Sequence, residues 1–260
     1  MKKTHLIILS LFLTSAIIIT ATVITYKALT VPKSKKYVVE TIEANSKGYI
    51  KVGIISDAQL PQEEKNLYGW DYATVMNGAD HLIKALKYYK SQNVDMIVFN
   101  GDMVNATGDY AAYSAYNKIL DYVYGEDRAE APHIIYPMGN HEFYGGNQEH
   151  NFYKSTGLPL NTRTIVNGYS FISISNSKLE KGDEELAESN DTLADGTYNE
   201  KRIEFLKEQL AAANTEDPNK PIFVFIHMPI SNIVNGGHWA TPQYEEIYSI
   251  LKEYPQAVVF

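Results

Sequence analysis

Side chains that can bind a metal ion follow two of the apolar segments that we predict to be strands. The apolar run 50–56 is followed by Asp57 and Gln59. The apolar run 96–99 is followed by Asp102, which comes directly after a glycine. In layered α/β proteins the ligand crevice lies beyond the carboxyl ends of the strands. We therefore expect these oxygen donors to converge at one edge of a sheet.

Two more predicted strands end in the same kind of side chain. The run 133–138 leads into Gly-Asn-His-Glu, which contains Asn140 and His141, and the run 221–226 leads into His227. Taken singly, such residues are more often turn formers, helix caps or core histidines. Four successive strand ends with oxygen or imidazole donors, two of them beside a glycine that permits a sharp turn, indicate a shared site.

The residue types restrict the chemistry of that site. The chain has no cysteine, so a metal ion would be held by oxygen and imidazole nitrogen, a ligand set that suits Mn²⁺, Fe or Zn²⁺. We find neither a serine nucleophile elbow nor a phosphate-binding Walker loop. The net charge of −8 disfavours polyanions, and we expect no nucleic-acid binding.

The order of the apolar and amphipathic segments predicts an α/β layered sandwich. The strands are predicted at 50–56, 96–99, 133–138, 169–175, 221–226 and 257–260. The helices are predicted at 76–91, 110–124 and 199–213, with a last helix that begins at Thr241 and Pro242 and runs to about residue 253. The acidic stretch 180–195 is predicted to be a solvated loop.

The first 26 residues have a different composition. Residues 6–26 are 21 uncharged and mainly apolar residues, enough for a helix to cross a bilayer. We interpret residues 1–26 as a signal peptide or a membrane anchor, because a buried helix of a soluble domain would be amphipathic. Lysines flank both ends and leave the topology open; we expect the domain outside the cytoplasm.

Beyond this segment, we predict a polar tether or an edge strand at residues 27–48 and one domain at residues 49–260.

At the strand-end residues the chain resembles the calcineurin-like metallophosphoesterase superfamily. The family pattern runs Asp-x-His, Gly-Asp-x-x-Asp, Gly-Asn-His-Glu/Asp, a later His and finally Gly-His-x-His, and the resemblance covers about residues 49–260. It implies an α/β/β/α sandwich that hydrolyses phosphate mono- or diesters with two divalent metal ions and a bound hydroxide. It implies that Asp57 and Gln59 bind the first metal, Asp102 bridges both, Asn140 and His227 bind the second, and His141 contacts the scissile phosphate and protonates the leaving group.

Two positions depart from the family pattern within its motifs. Gln59 stands where the family has histidine, and an amide oxygen is a weaker ligand than imidazole. Asn105 stands where the family commonly has an aspartate that orients the histidine of the next motif. An amide accepts a hydrogen bond but carries no charge to stabilise an imidazolium, so His141 is expected to be a weaker acid catalyst. Asn105 remains a candidate substrate-binding residue.

The final Gly-His-x-His motif has no equivalent in the chain. The segment 236–239 contains His238 but has a tryptophan where a second histidine is needed. We therefore expect the chain to stop before the motif, and expect these 260 residues to bind metal poorly and to be weakly active or inactive. His238 is interpreted as a loop residue that either contacts substrate or is simply exposed.

Two other functions remain open on the sequence. The serine/threonine protein phosphatases have Arg-Gly after the second motif, where this chain has Ala-Thr-Gly at 106–108. The other alternative is a membrane-tethered binding module that keeps the fold without catalysis. The substrate itself is not encoded in any motif; we expect its choice to depend on the loops 60–75, 143–165 and 177–198.

Overall fold

The computed structural model describes residues 36–44, 48–60, 72–105, 110–143, 148–177, 196–230 and 241–260. The predicted signal peptide or anchor, the acidic stretch 180–195 and His238 lie outside the described residues. No helix in the described ranges is both long and apolar enough to cross a membrane.

The described strands and helices follow one another in α/β order. The strands are β1 (Tyr37–Ile42), β2 (Val52–Ile55), β3 (Met96–Phe99), β4 (His133–Ile135), β5 (Asn161–Val166), β6 (Tyr169–Ile174), β7 (Ile222–Ile226) and β8 (Ala257–Val259). The helices are α1 (Tyr72–Ser91), α2 (Tyr110–Tyr124), α3 (Gln148–Thr156), α4 (Glu200–Glu216) and α5 (Tyr244–Leu251), with a 3-10 turn at His141–Phe143.

These strands form two sheets. One sheet has the order β2-β3-β4 with all strands parallel, so that the three strands end at the same edge. The other has the order β1-β5-β6-β7-β8, in which only the pair β5 and β6 is antiparallel within the described strands. The parallel arrangement brings the residues after β2, β3 and β4 together, as the sequence predicted.

Three clusters of buried apolar side chains show how the helices and sheets are layered. Alternate residues of β3 point to opposite faces. Ile97 and Phe99 pack with α1 and α2, whereas Met96 and Val98 join a cluster that includes Phe225 of the other sheet. The outer face of the five-stranded sheet is covered by α4 and α5. The fold is therefore the predicted α/β/β/α sandwich.

Several elements agree closely with the sequence predictions. The strand at 96–99 and the helix at 110–124 have the predicted bounds. The helix predicted at 199–213 spans Glu200–Glu216, and Asn199 is its N-cap. The side chain of Asn199 accepts a hydrogen bond from the N–H of Arg202 at 3.2 Å.

The predicted loop 143–165 is wrong, because it contains helix α3 and strand β5. Strand β5 has the sequence Asn-Thr-Arg-Thr-Ile-Val, which shows no apolar run. Its polar side chains are nevertheless buried, since partners distant in sequence satisfy them. Arg163 forms an ion pair with Glu216 and also donates to the Ser170 hydroxyl.

The predicted start of the last helix is also wrong. Helix α5 begins at Tyr244, three residues after Thr241. The Thr241 hydroxyl donates to the Gln243 side-chain oxygen at 3.0 Å instead of capping the helix. A turn in which the N–H of Tyr244 donates to the carbonyl of Thr241 precedes the helix. The strand predicted at 133–138 is shorter than expected and ends at Ile135.

Strand β1 lies within the stretch 27–48, for which a polar tether and an edge strand were both considered. It pairs in parallel with β5 at the edge of the described five-stranded sheet, with Tyr37 opposite Asn161.

Candidate metal centre

The loops after β2 and β3 lie side by side and are joined by backbone hydrogen bonds. The N–H of Asp57 donates to the Gly101 carbonyl at 3.1 Å, and that of Gln59 to the Asp102 carbonyl at 2.9 Å. Asp57, Gln59 and Asp102 all have left-handed backbones, with φ of 59°, 43° and 54°. Such conformations are uncommon outside glycine and concentrate at functional sites. Three predicted metal ligands therefore occupy strained positions in adjacent loops.

A cluster of metal-capable side chains forms where these loops meet the end of β7. One ligand atom from each of Asp57, Asp102 and His227 lies within 4.8 Å of the other two. The Nε2 atom of His227 is 3.1 Å from Asp102 Oδ2 and 3.2 Å from Asn140 Oδ1. Residues from four strand ends thus converge on a single point, as the sequence predicted.

The orientation of the His227 ring fits a metal ligand. Its Nδ1 donates to the backbone carbonyl of Asn100 at 2.8 Å, since a carbonyl oxygen only accepts. This bond leaves Nε2 directed at Asp102 and Asn140. A histidine that binds a metal usually donates its other ring N–H in this way. The two carboxylates and this imidazole supply the oxygen and nitrogen donors that Mn²⁺, Fe or Zn²⁺ prefer, so the residues present fit such an ion.

His141 lies beside the same cluster. Its backbone N–H donates to Asp102 Oδ1 at 2.9 Å, and its Nδ1 is 2.8 Å from Asn105 Oδ1. Because an amide oxygen only accepts, Nδ1 carries the proton in this contact. The Nε2 atom is 3.8 Å from Asp102 Oδ2 and is therefore directed at the candidate centre. Burial lowers the pKa of His141, and the charge of Asp102 only partly counters it.

The charges of the cluster depend strongly on one another. Burial would raise the pKa of Asp102, but the hydrogen bond and charge of His227, together with His141, hold it below its ordinary value. Burial would likewise lower the pKa of His227, but Asp102 and then Asp57 raise it to about 9. At neutral pH the protonated imidazole of His227 supplies positive charge at the point where a metal ion would.

This pairing predicts how metal affinity depends on pH. A divalent ion that binds at Nε2 must displace the proton from His227. We expect the apparent affinity for Mn²⁺ to rise roughly tenfold per pH unit from pH 7 to pH 9 and to level above the pKa of His227. Calorimetric titration in buffers of different ionisation enthalpy measures both the affinity and the released proton. An affinity that is constant between pH 7 and pH 9 would contradict this assignment.

Two glycines allow the loops to approach this closely. A Cβ atom on Gly139 would lie 2.2 Å from Asp102 Oδ1, and one on Gly101 would lie 2.5 Å from the ring of His227. Gly101 also has a φ of +83°, which favours glycine. The glycines of the two motifs are therefore required by the packing around Asp102.

Glu142 is the residue of the site to which the sequence analysis gave no role. Its side chain is fully buried, and its carboxylate accepts hydrogen bonds from the N–H groups of Asp102 and Gly139. Burial, followed by the charge of Asp102, raises the pKa of Glu142 to about 7. The available signal was its place in the Gly-Asn-His-Glu motif, three residues after Gly139.

The structure brings most of the predicted residues together. The residues that contact one another, or whose ligand atoms lie within 4.8 Å of one another, are Asp57, Asp102, Asn105, Asn140, His141 and His227. Gln59 is half-buried and is linked to Asp102 through its backbone.

The comparison with known proteins agrees with the geometry. A family profile described as calcineurin-like phosphoesterase matches residues 50–260. The chain belongs to this family. A search of curated proteins found no match.

Among solved structures, a dimetal phosphatase of Danio rerio is 17% identical, with a TM-score of 0.60 over 80% of this chain and 79% of that one. A protein of Thermus thermophilus is 12% identical, with a TM-score of 0.49 over 81% of each chain. At 17% identity the first likeness shows the calcineurin-like phosphoesterase fold alone.

Proposed function

We propose that this calcineurin-like phosphoesterase hydrolyses phosphate mono- or diesters with a dinuclear centre of divalent ions, which are Mn²⁺, Fe or Zn²⁺. The observation that carries the proposal is the convergence of Asp57, Asp102 and His227 within 4.8 Å. When bound, such ions lower the pKa of a water molecule and neutralise the charge of the phosphate oxygens.

The chain offers residues that would hold two ions. Asp57 and Gln59 would hold the first ion, and the Asp102 carboxylate would bridge the two. Asn140 and His227, whose Oδ1 and Nε2 atoms are 3.2 Å apart, would hold the second. The deep burial of Asp102 and the hydrogen bonds to its carboxylate fix its direction before any ion binds.

His141 is proposed to act as the general acid. Its Nδ1 proton is held by Asn105, so its Nε2 would face the leaving-group oxygen of a bound phosphate ester. A proton delivered there neutralises the alkoxide as the ester bond breaks. Asn105 orients the ring without a negative charge, and burial lowers the pKa of His141. Both features favour catalysis towards the acidic side of neutrality.

The similarity of the fold to that of the Danio rerio dimetal phosphatase supports the same chemistry. The main competing function is a binding module that retains the fold without catalysis. The position of Gln59 in place of histidine favours this alternative, because an amide is a weaker ligand.

Hydrolysis and metal-binding assays separate the two functions. We would measure release of p-nitrophenol from bis-p-nitrophenyl phosphate and from p-nitrophenyl phosphate with Mn²⁺ and with EDTA. The proposal predicts a rate that requires the metal, and the preferred ester distinguishes a diesterase from a monoesterase. Because a low rate is already expected of these 260 residues, metal binding decides between the two functions: a protein that retains no Mn²⁺, Fe or Zn²⁺ would support the binding module.

We also propose that the apolar segment 6–26 directs the domain outside the cytoplasm, where the domain is either anchored to the membrane or secreted. The support is its length and its lack of charge. Protease treatment of intact cells, compared with lysed cells, tests the location. Digestion only after lysis would contradict it.

A further inference from the structure

We infer that Glu142 is the positioning residue that aims the Asp102 carboxylate at the metal centre. The inference rests on the proposed function, because it assigns a role within the same site. Glu142 is fully buried and lies on the loop after β4, whereas Asp102 lies on the loop after β3.

The Glu142 carboxylate binds the backbone of the Asp102 loop. Its Oε2 accepts the N–H of Asp102 at 2.9 Å and the N–H of Gly139 at 2.7 Å. Its Oε1 accepts the N–H of Met103 at 2.8 Å and, more distantly, that of Val104 at 3.4 Å. Successive N–H groups around a left-handed residue form a concave site for an anion. Here a carboxylate of the chain itself occupies that site.

The two motif loops are therefore joined in both directions. Glu142 accepts the N–H of Asp102, and Asp102 Oδ1 in turn accepts the N–H of His141 at 2.9 Å. The left-handed φ of 54° at Asp102 is unfavourable for a residue with a side chain. The bonds to Glu142 stabilise it, and this conformation sets the direction in which the Asp102 side chain leaves the backbone.

The surroundings of Glu142 hold it in place. The hydroxyl of Tyr136 donates to Oε1 at 2.7 Å. The Tyr136 ring packs against Phe99 and Phe152, with ring centroids 5.8 Å and 5.0 Å away. Tyr136 therefore holds the Glu142 carboxylate from the hydrophobic core. The backbone N–H groups that donate to this carboxylate belong to the loops that carry the site.

The test uses Glu142→Gln in the full chain. One carboxylate oxygen becomes an NH₂ group, which cannot accept the N–H groups that converge there. We expect faster amide hydrogen exchange in the segments 102–104 and 137–140 of the metal-free protein. We also expect Mn²⁺ affinity to fall by about 10- to 100-fold, the usual effect of losing a group that orients a ligand. Glu142→Asp, which keeps two carboxyl oxygens as acceptors, should recover part of the affinity.

Asp95→Asn provides the matched control. Asp95 is also buried and also accepts a backbone N–H, that of Lys51 at 2.7 Å, but it lies before β3, at the opposite end of the strand from Asp102. We expect this variant to keep wild-type Mn²⁺ affinity. A purely structural role for Glu142 would lower the thermal stability of Glu142→Gln in EDTA without this difference in affinity.

The outcomes for Glu142 and for the proposed function are distinguishable. Unchanged exchange at 102–104, or Mn²⁺ affinity equal to that of the wild type in Glu142→Gln, overturns the positioning role. If the wild-type protein binds no divalent ion, the proposed function is overturned. Even without metal binding, the amide hydrogen exchange rates at 102–104 in the metal-free protein show whether Glu142 holds the Asp102 loop.

Discussion

Replacing Asp102 by asparagine is expected to lower the metal-dependent hydrolysis rate by about a thousandfold or more, since the lost charge stabilisation amounts to several kcal/mol. The asparagine keeps the shape of the side chain and an oxygen that can accept the N–H of His141. It removes the negative charge that faces His227 at 3.1 Å and that would bridge the two ions. The measurement is kcat/KM for bis-p-nitrophenyl phosphate across a range of Mn²⁺ concentrations.

The matched control for this prediction is again Asp95→Asn, which makes the same chemical change away from the site. It should retain the wild-type rate to within about twofold, as expected for a residue that makes no contact with the transition state. Loss of less than about tenfold in Asp102→Asn, with metal binding intact, would show that Asp102 does not bridge the ions.

Replacing His141 by alanine is expected to lower the rate by about 10²- to 10⁴-fold, the usual contribution of a general acid. The loss should depend on the leaving group. An alkyl phosphate ester releases a basic alkoxide that needs a proton, whereas p-nitrophenolate leaves readily without one. The measurement is kcat for an alkyl ester and for a p-nitrophenyl ester at saturating Mn²⁺.

His81→Ala is a suitable control, because His81 is exposed on helix α1. It should leave both rates unchanged. Equal losses for the two leaving groups in His141→Ala would assign His141 to binding of the phosphate rather than to proton transfer.

The sequence predicted best those features that depend on local pattern. Strand β3 is apolar on both faces and is buried on both, so its bounds follow from composition alone. The convergence of Asp57 and Asp102 followed from the rule that parallel strands end at one edge of a sheet. His227 follows β7 of the other sheet, so its place in the cluster depends on how the two sheets pack. The sequence indicated that the glycine before Asp102 and the one before Asn140 allow sharp turns. In the structure both glycines also lie in close contact with the cluster.

The features that were missed depend on partners distant in sequence. The polar sequence of strand β5 is typical of a loop, and no neighbouring residue in the chain indicates that Glu216 will pair with Arg163. Glu142 accepts N–H groups from residues 39 and 40 positions away, so its role requires the fold to be known first. Thr241 followed by proline is a typical helix start, yet the Thr241 hydroxyl pairs with Gln243 and the helix begins later.

If Asp102 bridges two metal ions, both ions would lie against its carboxylate. Crystals grown with Mn²⁺ and measured at the manganese absorption edge would locate the ions directly by anomalous scattering. We expect two peaks about 3.5–4 Å apart on either side of the Asp102 carboxylate, one near Asp57 and one near His227. A single peak, or peaks that do not contact Asp102, would contradict this bridging role.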